Sequence, residues 1–243
     1  MLTRVEIDTP AATDAFLGDV KASLAAWRRA PLLPIVSAAL IAVYELTMTP
    51  HPGSLLVLFG FAVGLVSIGW VGTQLVWYRR TFEGQAGMRL GELVQVTARF
   101  IAPYLLLLLI AAVPGFAVLL LVGIRAHTLA FSTPTGRAGE LAYIALVQAV
   151  GTFVVPAVAF STRKLTKAIP TGLAMLVRNW PKDWAYALVP GLIDVLVAGI
   201  YWWLPVWARP VLEVVSILVA LVLAGAIARF YLRHAPTAIN PRD

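Results

Sequence analysis

The chain has 243 residues, 60% of them hydrophobic and 13% charged, with a mean hydropathy of +0.85. Soluble domains are about half apolar and a quarter charged, so a water-soluble core is excluded and an all-α, polytopic membrane helix bundle is expected. The net charge of +7 lies mostly between the apolar runs, which points to anionic lipid headgroups as partner and away from nucleic acid. The absence of cysteine excludes disulfides, thiolate metal sites and cysteine nucleophiles.

Residues 1–30 read as an N-terminal cytoplasmic or interfacial segment. Glu6, Asp8, Asp14 and Asp19 precede any apolar run, which does not suit a secretory signal. Thr9 followed by Pro10 suits a helix start. Phe16, Val20, Leu24 and Trp27 then recur at helical spacing, with Asp19, Lys21 and Arg28 elsewhere on the wheel. Such a helix either lies in the headgroup layer or packs as a solvated helix on the protein's own loops.

Residues 31–231 form a membrane domain of six transmembrane helices, with spans at about 31–48, 54–78, 101–124, 141–161, 184–203 and 210–231. Residues Thr49 to Gly53 make a turn. Gly60, Gly64 and Ser67 form a small-residue stripe in the second span, suited to close approach of another helix of the same chain. Pro114-Gly115 predicts a kink in the third span, and Gly151 and Pro156 lie inside the fourth. Residues 125–139 are a polar connection, and 232–243 a short basic tail.

Two amphipathic elbow helices are expected between spans. In residues 79–100, Leu90, Leu93, Val94 and Ile101 share a face opposite Arg89, Glu92, Gln95 and Arg99. In residues 162–183, Leu165, Ile169, Leu173, Leu176 and Trp180 oppose Lys164, Lys167, Thr171 and Arg178. Pro170 is expected to break this second elbow or to start its later part. The two span–elbow–span units look alike, either as a duplication or through shared hydropathy alone.

Lys and Arg number sixteen in the N-terminal segment, the two elbows and the tail taken with the end of the sixth span, against three in the other connections. The positive-inside rule then places both termini and both elbows in the cytoplasm, for a multi-pass protein of the inner or plasma membrane. Trp27, Trp77, Tyr78, Trp180 and Trp184 fit the inner boundary as aromatic anchors; Trp202, Trp203 and Trp207 fit the outer one.

Asp194 is the sharpest candidate site residue. It lies near the middle of the fifth span, just after Pro190-Gly191, where a carboxylate costs about 3 kcal/mol on insertion scales. Pro190 frees a carbonyl, as in the broken helices of transporters. The acid is either a proton or cation site or a structural lock holding helices together, with Gln148 of the fourth span as its partner. Gln74 and Gln148 suit interhelical hydrogen bonds. Glu45 and Glu213, near span ends, suit water or pairing with Arg209 or Arg125. Arg79, Arg80, Arg89, Arg163, Lys164, Lys167 and Arg178 either contact lipid or a protein partner, or only set topology. His51, His127 and His234 have no metal-ligand spacing, and no phosphate loop or nucleophile elbow is present. No cofactor, metal or enzymatic activity is expected.

Residues 20–34 (VKASLAAWRRAPLLP) and 153–184 resemble the membrane domain of bacterial glycerophosphoryl diester phosphodiesterases and related uncharacterised six-span families. The usual acid after the span-four proline is missing here. The namesake's catalytic domain has no counterpart in these residues, so the resemblance implies a membrane scaffold or accessory component without enzyme activity. Gln85-Ala86-Gly87, Gly91, Ile101 and Pro103 are similar in spacing to the coupling loop of ABC importer permeases, departing at the leading acid and at the final proline. That second resemblance implies a transporter permease subunit with an ATPase partner.

Overall fold

The structure, a computed structural model, describes residues 9–48, 54–85, 87–126, 134–201 and 203–235. These are all helical or in turns: α1 (Thr9–Arg29), α2 (Leu32–Met48), α3 (Ser54–Phe82), α4 (Leu90–Ala126), α5 (Pro134–Gly151), α6 (Val154–Phe160), α7 (Leu165–Asn179), α8 (Trp184–Tyr201) and α9 (Arg209–His234). A short 3-10 turn, Val206–Ala208, leads into α9. The Thr49–Gly53 turn, His51, His127, Trp202 and the tail beyond residue 235 lie outside the described residues, as do the side chains of Glu45 and Arg125.

Five segments are long and apolar enough to cross a membrane: Leu58–Phe82, Leu90–Gly115, Leu141–Phe160, Trp184–Tyr201 and Arg209–His234. The first expected span, α2, has 17 residues and meets α1 at 91°. A polytopic bundle of five to six apolar helices is therefore what these residues form.

The helix ends depart from the expected ones for local reasons. The first elbow has no separate helix. Arg79–Phe82 close α3, Gly84 turns the chain with a φ of 71°, and residues 90–100 are the first turns of α4. Glu92 starts that helix by accepting from the Arg89 main-chain N–H at 3.3 Å, half of a capping box. The connection expected over 125–139 is shorter, because α4 runs on to Ala126 and α5 begins at Pro134. The fourth span is broken between Gly151 and Val154. Pro156 withdraws the donor that would reach the Thr152 carbonyl, and Gly151 next to it is a poor helix former. Pro170 and Pro190 break nothing: α7 and α8 run through them. The residue four before Pro190 is Tyr186, flanked by alanines that keep the helix going.

The core surrounds α6. Phe153, Ala157 and Val158 are buried against α7, Tyr104 of α4 and Phe230 and Tyr231 of α9. Gly172 lets α7 lie on α6, since a Cβ there would stand 2.5 Å from the Val154 main chain. Its buried face is Leu165, Ala168, Gly172 and Met175, rotated from the expected Leu165–Ile169–Leu173–Leu176–Trp180 stripe; Ile169 and Leu176 flank it. α3 and α4 form an antiparallel hairpin, with Thr73 bonded to Thr97 at 2.8 Å and Arg80 to Glu92 at 2.7 Å. Gly69 and Gly72 give the close approach to α4, where a Cβ would meet Thr97 O at 2.4 Å and the Phe100 ring at 2.3 Å. Gly64 of the expected stripe instead faces Tyr44 of α2.

Helix α1 is part of the core. It buries Ala12, Phe16, Asp19, Ser23 and Ala26 toward the bundle, with Ala30 buried just after it, while Leu17 and Leu24 stay exposed. The expected apolar face Phe16–Val20–Leu24–Trp27 is therefore off by part of a turn, and Asp19 points inward. Trp77 and Tyr78, expected at the interface, are also core residues. Trp27 Nε1 donates to the Tyr78 hydroxyl at 2.8 Å, which donates to the Leu221 carbonyl at 2.9 Å. Trp180, Trp203 and Trp207 are exposed, as anchors would be.

Candidate functional site

The residues singled out in the fifth span meet α5. Gln148 Nε2 donates to Asp194 Oδ2 at 2.8 Å, joining α5 to α8. One turn away, Gly191 lies against Ala145, where a Cβ would come within 3.2 Å of main-chain atoms. Gly191 is thus a close-approach residue, and Pro190 sits in an unbroken helix. Asp194 is half-buried and Gln148 exposed, so the pair is not enclosed by the described residues. Gln74 makes the other expected interhelical bond: it and Trp70 both donate to Ser37 Oγ of α2, at 3.1 and 2.9 Å.

The basic elbow residues divide into two sets. Arg79 pairs with Glu83 at 2.8 Å and Arg80 with Glu92 at 2.7 Å. The side chains of Arg89, Arg163, Lys164, Lys167 and Arg178 are exposed and, among the described residues, form no ion pair. Arg209 stacks over the Tyr201 ring at 4.9 Å. His234 stacks on Phe230. Among the described residues no group of three His, Cys, Asp or Glu could hold a metal.

Two polar groups escaped the sequence reading. Asp19 is 1% exposed. It accepts from the Tyr186 hydroxyl of α8 at 2.6 Å and from Arg233 of α9, and pairs with Arg229 at 3.3 Å. Its depth could not be read from the sequence, because its partners lie on distant helices. The second is Asp183, just before α8, which is fully buried with neither carboxylate oxygen hydrogen-bonded. Burial pushes its carboxyl up to about 6.

Cavities open at two places that bear on the basic residues. One, of about 290 Å³, lies between Arg29, Trp77, Thr81 and Gln85. The other, of about 210 Å³, lies between α3, α4 and the end of α6. Neither is lined by Asp194 or Gln148. No family model matches the chain, and no curated protein or solved structure matches it.

Proposed function

We propose that the chain is a non-enzymatic membrane scaffold or accessory component that receives a partner's transmembrane helix on the α5–α8 seam. The observation that carries this reading is the Gln148–Asp194 pair, hydrogen-bonded at 2.8 Å yet open on its outer side. Inside a bilayer, a half-satisfied carboxylate and amide gain from a further polar partner that lipid tails cannot supply. The close packing of Gly191 on Ala145 supports a locked seam rather than a moving one. The excess of basic residues in the N-terminal segment, elbows and tail supports a cytoplasmic placement of both ends and contact with anionic headgroups. The resemblance of residues 20–34 and 153–184 to the membrane domain of glycerophosphoryl diester phosphodiesterases supports a membrane part that serves another activity.

The chain has no native cysteine, which makes site-directed crosslinking direct. Single cysteines at Ile144 and Ala198, each one turn from the polar pair, should give one adduct of fixed size in native membranes. A cysteine at the exposed Leu108 of α4 should not. Asp194→Leu should abolish the adduct while the protein stays folded. An adduct that persists in Asp194→Leu overturns the docking role. Loss of substrate-dependent flux in Asp194→Asn, with the fold intact and no adduct in the parent, replaces it with the transporter reading.

A further inference from the structure

The geometry points to a binding groove for one anionic phospholipid between α3, α4 and α6, with Arg99 and Arg163 holding its phosphate. This is a defined site, distinct from the general attraction of basic elbows to a charged leaflet and from the α5–α8 seam. The cavity there measures about 210 Å³. Its walls are apolar: Val76 of α3, Phe100 of α4, and Val158 and Ala159 of α6. Arg99 of α4 and Arg163 of the connection between α6 and α7 line the same cavity and are exposed.

Their level in the bilayer follows from the chain itself. Arg99 is the last charge before the apolar stretch that runs on from Phe100, and Arg163 follows the run that ends at Ser161. Arg99 lies within the crossing segment Leu90–Gly115, and its long stem lets the guanidinium reach toward the headgroups. Unlike Arg79, Arg80, Arg229 and Arg233, which are all paired with carboxylates, neither has an ion pair or a hydrogen-bond partner among the described residues. Of the hydroxyls nearby, Ser161 is engaged with Tyr231 at 2.7 Å, while Thr162 accepts from the Lys164 N–H at 3.2 Å and keeps its own O–H to donate. The charged groups at the mouth are two planar cations, which suit phosphate oxygens. An apolar interior below a cationic mouth selects a lipid, with a tail in the groove, over a free phosphate ion.

The test uses the full chain purified in detergent and examined by native mass spectrometry. With dioleoyl phosphatidylglycerol added, one lipid should stay bound at energies that strip dioleoyl phosphatidylcholine. Arg99→Gln with Arg163→Gln should cut retention by about tenfold or more. The control pair Lys167→Gln with Arg178→Gln removes the same charge outside the groove and should leave retention unchanged. Ala159→Leu, which fills the groove without changing charge, should also release the lipid while gel filtration and melting temperature confirm the fold. Inorganic phosphate should not compete. Equal loss in the control pair, undiminished retention in Ala159→Leu, or full competition by inorganic phosphate would each overturn the proposal.

Discussion

The buried carboxylate of Asp19 on α1 is held by Arg233 in the last turns of α9, 214 residues further along the chain. Arg229 pairs with the other oxygen, and Tyr186 donates from α8. One acid therefore ties the N-terminal helix to two apolar helices at the end of the chain. Removing it strands two cations. They keep access to water, at 39% and 45% exposure, so the loss should fall below the 3–5 kcal/mol of a wholly enclosed pair, at about 2 kcal/mol. Asp19→Ala should lower the melting temperature in detergent by several degrees and speed trypsin cleavage at Lys21 and Arg28. Asp14→Ala, on the exposed face, should do neither. An Asp19→Ala protein that melts and cuts like the parent would show that α1 docks by its apolar contacts alone.

Gly172 presses α7 onto α6, and a methyl group there would stand 2.5 Å from main-chain atoms of Val154. Backbone cannot swing aside as a long side chain can. Gly172→Ala should cost about 1–3 kcal/mol or more, the range for forced overpacking, and so lower the melting temperature. Gly199→Ala, where a Cβ meets nothing within 4 Å, should match the parent or exceed it by up to about 1 kcal/mol from helix propensity. Equal stability in both variants would mean that α7 is not seated on α6.

Asp183 sets a pH dependence. Its carboxyl is raised from 3.8 to about 6 by burial. A group whose folded pKa lies above its unfolded one favours the fold while protonated. Its contribution is complete below about pH 4, is lost as pH rises toward 6, and is constant above that. The difference should be about 2–3 kcal/mol. Asp183→Asn should therefore be more stable than the parent at pH 7 and equal to it at pH 4. Parallel stability curves for the two proteins from pH 4 to 7 would contradict an unpartnered, buried acid.

The seam makes a further distinction. Gln148→Ala removes the hydrogen-bond partner of Asp194 and leaves the acid without a hydrogen bond among the described residues. With the carboxyl half-buried, the loss should be about 1 kcal/mol. Asp194→Leu, which removes the unsatisfied group altogether, should melt no lower than Gln148→Ala. A markedly lower melting temperature for Asp194→Leu would mean that the acid has another partner within the chain.

The class of object was legible in the residues alone, because hydropathy is a local sum. Runs such as 184–203 and 210–231 declare their length without knowing their neighbours, and α8 and α9 fall close to those bounds. Interhelical roles for Gln74 and Gln148 were equally legible, since an amide within a span needs a partner. Tertiary structure decided which face each helix buries. Asp19 looks like a solvated acid until Arg229 and Arg233 are brought beside it. Gly172 looks incidental until Val154 lies against it, and Trp77 and Tyr78 look like interface anchors until α1 and α9 cover them. It also decided which prolines matter: Pro156 breaks its span while Pro190 does not. The reason is physical. Transfer into a membrane depends on what a segment is made of, whereas pairing and close approach depend on residues up to 214 positions away that only packing brings together.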